Sequence, residues 1–384
     1  MIYLDNAATS YPKPPCVKEA VCKAFSLYGA NPGRGGHRMS LATAERVYAA
    51  RETAAILFGA ASPVDVAFTN NATSAINFAL YGLPLQGKHV VVSSLEHNAV
   101  MRPLENMKKQ GTAVTIVRVD TADDDATVEA FARTLTPQTA AMVCTHASNV
   151  TGEVLPIRRL GALAAARGIP FVVDASQTAG LLPIHIQRDQ VDFLCMPGHK
   201  GLYGPTGTGM LIRSGKYALQ PTVCGGTGSD SASWEQPADW PEQMESGTVN
   251  VAGILGLDAA MRWVMAQNVG RMHRQEMAKL QFLYRRLKCI YGVKLYGCTP
   301  QLWRHAPLLS FNLDGYSGEE VAAMLDAEGV AVRAGLHCAP AAHRHIGTIS
   351  CGTVRLSLSA FTTIAELEKL CKIIVKISSK PLQM

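Results

Sequence analysis

From about residue 60 to residue 215 the chain alternates short apolar runs with stretches whose apolar positions recur every three or four residues. The runs at 66–69, 89–93, 114–119, 140–145, 170–174, 191–196 and 209–213 are rich in Val, Ile and Phe and carry little polar alternation. Runs of this kind are strands buried on both faces. Between them, 72–81, 98–109, 127–135 and 157–166 have helical spacing. Strands separated by helices predict an α/β fold: a mostly parallel, doubly wound sheet of seven strands flanked by helices.

Beyond residue 215 the pattern changes. Residues 215–248 are irregular and contain Gly, Ser and Trp, and a long helical pattern follows over 251–289, with Gly253, Gly256 and Gly270 as weak points. Shorter strands at 308–313, 330–333 and 353–357, with helices at 318–328 and 364–378, predict a smaller C-terminal α/β domain beginning near residue 260.

In a parallel sheet, ligands sit beyond the carboxyl ends of the strands. Polar residues cluster at those ends: 70–73, 96–98, 146–149, 174–177 and 199–200. The stretch CMPGHKGLYGPTGTGM at 195–210 contains a G-x-x-x-x-G frame, but Met210 and Leu211 stand where a nucleotide-binding loop needs Lys and Ser or Thr. Lys200 therefore serves another chemistry. Asp174 closes an apolar strand and needs a cationic partner, such as a protonated pyridine nitrogen. Thr73 opens a helix whose N-terminus can bind phosphate. His97 offers a flat ring for stacking. A lysine for an imine, an acid for a pyridinium and a helix start for a phosphate together describe a pyridoxal phosphate site.

The chain resembles the cysteine desulfurases of the class-V aminotransferase group, fold type I among pyridoxal phosphate enzymes. The resemblance runs through YLDNAAT at 3–9, FTNNATSAIN at 68–77, EHNAV at 96–100, HASNVTGE at 146–153, VDASQTAG at 173–180, GHKGLYGPTGTG at 198–209, ESGTVN at 245–250, VRAGLHCAP at 332–340 and VRLSLSAFTT at 354–363. It implies a large cofactor-binding domain over 15–260. The segments 261–384 and 1–14 would then form a small domain that carries the catalytic cysteine. By position it makes Lys200 the covalent anchor and base, Asp174 the partner of the pyridine nitrogen, and Gln177 the partner of the ring hydroxyl. His97 would stack on the ring and relay protons, and Asn149 would sit beside the ring hydroxyl and the substrate carboxylate. Thr73, His199 and the Ala72 backbone would hold the phosphate. Thr248 would reach the phosphate of a second subunit, which implies a homodimer with shared sites. Arg355, with Arg333, would clamp the substrate carboxylate. The family's usual Ser or Thr two residues before the GHK histidine is Pro197 here. It supplies neither hydroxyl nor N–H, so weaker cofactor retention is expected.

Cys338 is the implied nucleophile, taking sulfur from L-cysteine as a persulfide, with Arg333, His337 and Arg355 supplying a positive setting. Its segment is similar to the SufS-type branch, whose cysteine sits on a compact loop. Removal of the persulfide then calls for an acceptor protein that docks closely, or a small reductant. A selenocysteine lyase could carry all of these residues, and another C–S lyase or aminotransferase-class enzyme with this cofactor is the further alternative, so L-selenocysteine stands beside L-cysteine as a substrate. Cys338, His343 and His345 match no zinc spacing, and no metal is expected.

Composition adds exclusions. At 384 residues with 48% hydrophobic and 17% charged residues, the chain is an ordinary globular protein. Its +6 formal charge is thinly spread, with no nucleic-acid motif. The opening MIYLDNAATS has no signal-peptide character, and no apolar run reaches membrane-spanning length. Ten cysteines in such a chain read as reduced thiols, so the expected setting is cytoplasmic.

Overall fold

The polar strand ends meet because the five strands that carry them run the same way in one sheet. The computed structural model describes residues 1–33 and 35–379; the last five positions of the expected 261–384 unit lie outside the described residues. The chain begins with β1 (Ile2–Tyr3), α1 (Pro15–Leu27) and α2 (Arg38–Phe58). The alternating region follows as β2 (Val66–Thr69), α3 (Ala72–Gly82), β3 (His89–Ser93), α4 (Asn98–Lys108), β4 (Ala113–Val117), α5 (Asp124–Thr134), β5 (Thr139–Thr145), α6 (Ile157–Ala166), β6 (Phe171–Asp174), β7 (Phe193–Pro197) and β8 (Gly209–Arg213). These seven strands form one sheet in the order β2-β8-β7-β6-β5-β3-β4. Only β8 is antiparallel to its neighbours.

Successive residues of each central strand feed opposite cores, as a pleat requires. Val91, Met142, Val173 and Leu194 face one apolar cluster with Val47, Phe58 and Leu257. Val90, Val143, Val172 and Phe193 face the other, with Ile76, Leu80 and Leu104. Both faces are covered, which explains the unbroken apolar runs.

The long helical pattern over 251–289 is two helices, α7 (Val251–Gln267) and α8 (Val269–Lys288). The break falls at Asn268, with φ 65° and ψ 109°, and its side chain accepts from Arg271 N. The glycines do not break it. A Cβ on Gly256 would meet Pro205 and Val21 at 2.7 Å, so this glycine permits close packing.

The remaining elements are β9 (Val293–Tyr296), β10 (Leu308–Leu313), α9 (Gly318–Ala327), β11 (Val330–Ala331), β12 (Arg333–Gly335), α10 (Pro340–Ile346), β13 (Thr353–Ser357) and α11 (Ile364–Ser378). A four-stranded sheet runs β12-β13-β10-β9. The strand expected at 330–333 is divided: β11 pairs in parallel with β1, while β12 pairs with β13. Ile2 and Leu4 are therefore buried in the same cluster as Phe311, Leu356 and Leu370. Among the described residues no helix is long and apolar enough to cross a membrane.

Candidate active site

A cavity of about 500 Å³ opens beyond the carboxyl ends of β2, β3, β5, β6 and β7. Its walls bring together Ala72, Thr73, His97, Asn149, Asp174, Gln177, His199 and Lys200. Pro197 lines it too, at the end of β7.

Each wall has a local cause. Asn71 caps α3 by accepting from Ser74 N at 2.9 Å, while Ala75 N bonds Asn71 O at 3.2 Å. The N–H groups of Ala72 and Thr73 are left for the cavity, at the positive end of the helix. His97 caps α4, and its Nδ1 accepts from Ala99 N at 3.0 Å. The neutral ring thus carries its proton on Nε2. Burial, with Lys200, Arg333 and Arg355 nearby, holds its pKa below the ordinary value despite Asp174. Asp174 is buried, and its Oδ1 accepts from Ser176 N at 2.9 Å. Gln177 Nε2 donates to Ala7 O at 3.2 Å, which ties this wall to the N-terminal segment.

Lys200 sits on a tight turn closed by Tyr203 N donating to Lys200 O at 2.8 Å. The turn passes so close to Gly180 that a Cβ there would lie 2.3 Å from Gly201 O. Burial lowers the Lys200 amine to about 8; Asp174 and Asp5 oppose the shift, and Arg355 and Arg333 reinforce it. Its neighbour His199 is anchored through its carbonyl, which accepts from Lys13 Nζ at 2.8 Å and Ser10 N at 3.0 Å. Burial and the two lysines push the His199 ring down to about 4.

Cys338 lies outside the cavity walls but is strapped to them. Its thiol is exposed. Its carbonyl accepts from Asn98 N at 2.7 Å, at the start of the helix His97 caps. Asn149 Nδ2 donates to His337 O at 2.7 Å. Both His337 (φ 49°) and Cys338 (φ 56°) occupy left-handed backbone, an uncommon state for side-chain-bearing residues that marks a held loop. Arg333 Nη2 is 3.6 Å from the sulfur. The expected positive contribution of His337 is absent: its ring is buried, Nε2 bonds Thr353, and burial with Arg355 drives it to about 2. His337 is a neutral strut.

Arg355 and Thr248 stand off the walls of this cavity. Arg355 is 1% exposed and already engaged, donating from Nη1 to Asn149 O at 2.9 Å and from Nη2 to Asp5 Oδ1 at 3.0 Å. Thr248 is not on the Lys200 cavity of its own chain. It is exposed and lines a separate hollow with Thr69, Gly209 and Asn250. Glu245 fixes that segment on β2, accepting from Arg51 Nη1 at 2.7 Å and Phe68 N at 2.5 Å. Sequence reasoning missed Asp5, Asn98 and Ser176. The first had a charge as its signal, whereas the other two act through backbone N–H groups.

A mostly parallel sheet with a lysine, an acid and a histidine converging at its strand ends is the layout of fold type I enzymes. The chain belongs to the class-V aminotransferase family, whose model matches residues 2–370. It is 32% identical over 382 residues to a probable cysteine desulfurase of Methanothermobacter thermautotrophicus, covering 96% of this chain and 92% of the relative. A probable cysteine desulfurase of Xylella fastidiosa is 33% identical over 392 residues, covering 98% and 91%. Among solved structures, the apo cysteine desulfurase of Thermococcus onnurineus superposes with a TM-score of 0.91 at 30% identity, covering 98% and 94%. The cysteine desulfurase CsdA of Escherichia coli, in its S-sulfonic acid form, gives 0.87 at 28%, covering 97% and 94%.

The family works with pyridoxal phosphate, and the cavity suits that group. Asn149 Oδ1 and His199 Nδ1 are buried without a hydrogen-bond partner, and both residues line the cavity. Buried polar atoms of this kind call for a ligand that completes them. The donor set also matches: helix N–H groups at one end and a carboxylate beneath.

Proposed function

We propose that this protein is a pyridoxal phosphate-dependent cysteine desulfurase, moving the sulfur of L-cysteine onto Cys338 and releasing L-alanine. The observation that carries the reading is the Cys338 thiol, exposed on a held loop, 3.6 Å from Arg333 and strapped to the walls around Lys200. The names of the curated relatives accord with it.

Lys200 would anchor the cofactor, Asp174 would face its pyridine nitrogen, and His97 would lie against its ring. Gln177 and Asn149 would meet the ring hydroxyl. Ala72, Thr73 and His199 would hold the phosphate, with Thr248 supplied by a second copy of the chain. When bound, pyridoxal phosphate supplies an electron-withdrawing ring that stabilises negative charge at the substrate α-carbon. Arg355, with Arg333 close by, binds the substrate carboxylate. Lys200 Nζ, lowered to about 8, has a substantial neutral fraction in mildly alkaline solution and accepts the α-proton. Cys338 Sγ forms a bond to the substrate sulfur as the Cβ–S bond breaks. The electron pair stays with the substrate, whose Cβ takes up a proton, and the α-carbon regains the proton held on Lys200 Nζ, so that L-alanine leaves. Cys338 keeps the sulfur as a persulfide, and no outside oxidant is needed. His97 Nε2 carries a proton for the returning step. An acceptor protein, or a small thiol, then collects the sulfur at the exposed loop. On this reading residues 15–260 bind the cofactor, while 261–384 and 1–14 carry the thiol.

Replacing Cys338 by Ala is expected to lower L-alanine release from L-cysteine by about 100-fold or more. Mass analysis of the parent after L-cysteine alone should find one extra sulfur on the Cys338 peptide. A parental rate in the variant would overturn the persulfide route. Running L-selenocysteine alongside fixes the preferred chalcogen.

A further inference from the structure

Arg355 already holds a carboxylate. Its guanidinium is buried with Nη2 3.0 Å from Asp5 Oδ1 and Nη1 on Asn149 O, while Nε is buried and has no partner. Asp5 is the looser member of the pair: its side chain is 22% exposed against 1% for Arg355. The backbone around Asp5 is fixed on both sides. Ser357 N donates to Leu4 O at 2.8 Å, and Asn6 Nδ2 donates to Ser357 O at 2.9 Å. Only the Asp5 side chain can give way without unpicking the segment.

We propose that Asp5 is a placeholder for the substrate carboxylate, occupying Arg355 between turnovers and competing with any carboxylate ligand for it. The inference rests on reading Arg355 as the carboxylate clamp. A buried guanidinium without a counter-ion is strongly disfavoured, and removing one partner of such a pair is costly. Asp5 neutralises and orients Arg355 when the site holds no ligand. When a ligand carboxylate arrives, two like charges meet on one fork, and Asp5 must share it or swing towards water. The other titratable groups facing this pair are Arg333, Lys200, Cys338, His97, His337 and Tyr3. Asp5 is therefore a specificity-determining residue: it weakens the hold on carboxylate ligands and has no such effect on amines that lack one.

The experiment compares the parent holoenzyme with Asp5→Asn, which keeps a hydrogen-bond acceptor for Arg355 and removes the charge, and with Asp5→Ser as a second variant. Dissociation constants are measured by calorimetry for L-alanine and for ethylamine, its counterpart without a carboxylate. Circular dichroism and cofactor content verify folding. The expected result is L-alanine bound about five-fold tighter or more by the variants, with ethylamine unchanged within about two-fold. L-Alanine bound equally or more weakly by folded variants, while the parent binds it, would overturn the role of Asp5 alone. If neither L-alanine nor L-cysteine binds any of the proteins, the proposed function falls and this inference with it.

Discussion

At the scale of single residues, Glu276 is one of the carboxyls that the chemistry does not use and the fold nevertheless buries. It lies on α8, fully buried, with Oε1 3.3 Å from the Tyr203 hydroxyl and Oε2 without a partner. The same hydroxyl accepts from Ala360 N at 2.8 Å, and Tyr203 N closes the Lys200 turn. Burial raises the Glu276 pKa from 4.5 to about 8, against the pull of Lys279 and the Tyr203 hydrogen bond. With the folded value above the unfolded one, the folded chain holds the extra proton between them. Stability from this group is present at low pH and drains away as pH climbs from the unfolded value through about 8. Glu276→Gln cannot ionise and escapes that loss. In urea titrations its stability relative to the parent should improve between about pH 5 and pH 8, by on the order of 1–3 kcal/mol, and level off above. A constant difference across that range would show that Glu276 does not titrate there. Residue chemistry was unevenly legible in the sequence. Lys200, Asp174 and His97 stood out because charged or polar groups at the ends of apolar strands have no structural excuse. The Asp5–Arg355 pair did not, since its members are separated by 350 positions and meet only when β1 docks on β11.

At the scale of elements, the central strands were readable because both their faces are buried, which leaves a continuous Val-rich run with few competing interpretations. Their ends moved little, as in β6, which starts at Phe171 where 170 was expected. β4 corrects the expectation of burial on both faces: it is a largely exposed edge strand, spanning Ala113–Val117 where 114–119 was expected. β9 was missed for the opposite reason: it is a half-buried edge strand with no apolar run to announce it. The α7–α8 break was hidden because the helical periodicity continues through it. Asn268 makes the break by adopting positive φ while capping α8. Asn268→Ala loses the cap and keeps the backbone demand, so it should cost about 1–2 kcal/mol in urea unfolding. Asn268→Gly loses the cap but relieves the backbone, and should cost less than Ala. If Ala proves the milder change, the cap and strain at this position are not what set the helix boundary.

At the scale of the whole molecule, the position of Thr248 raises the question of how many chains make a site. It is exposed, its hydroxyl accepts from Asn31 Nδ2 at 3.1 Å, and its hollow is distinct from the Lys200 cavity of the same chain. Close by in sequence, the segment around Trp234 leaves that ring fully exposed. If Thr248 serves the phosphate end of the partner's cavity, the two defects Lys200→Ala and Thr248→Glu lie in different sites of a mixed dimer. The glutamate is chosen because its charge repels a phosphate. Each variant alone should be inactive or nearly so. Unfolding and refolding the two together redistributes chains, giving about half mixed dimers. Each mixed dimer pairs an intact Lys200 with an intact Thr248 in one of its two sites. Activity should then return to roughly a quarter of the parental value per chain. Sites built from one chain would give no recovery, because every Lys200 would still face its own Glu at position 248. An active Thr248→Glu protein on its own would remove Thr248 from the site altogether.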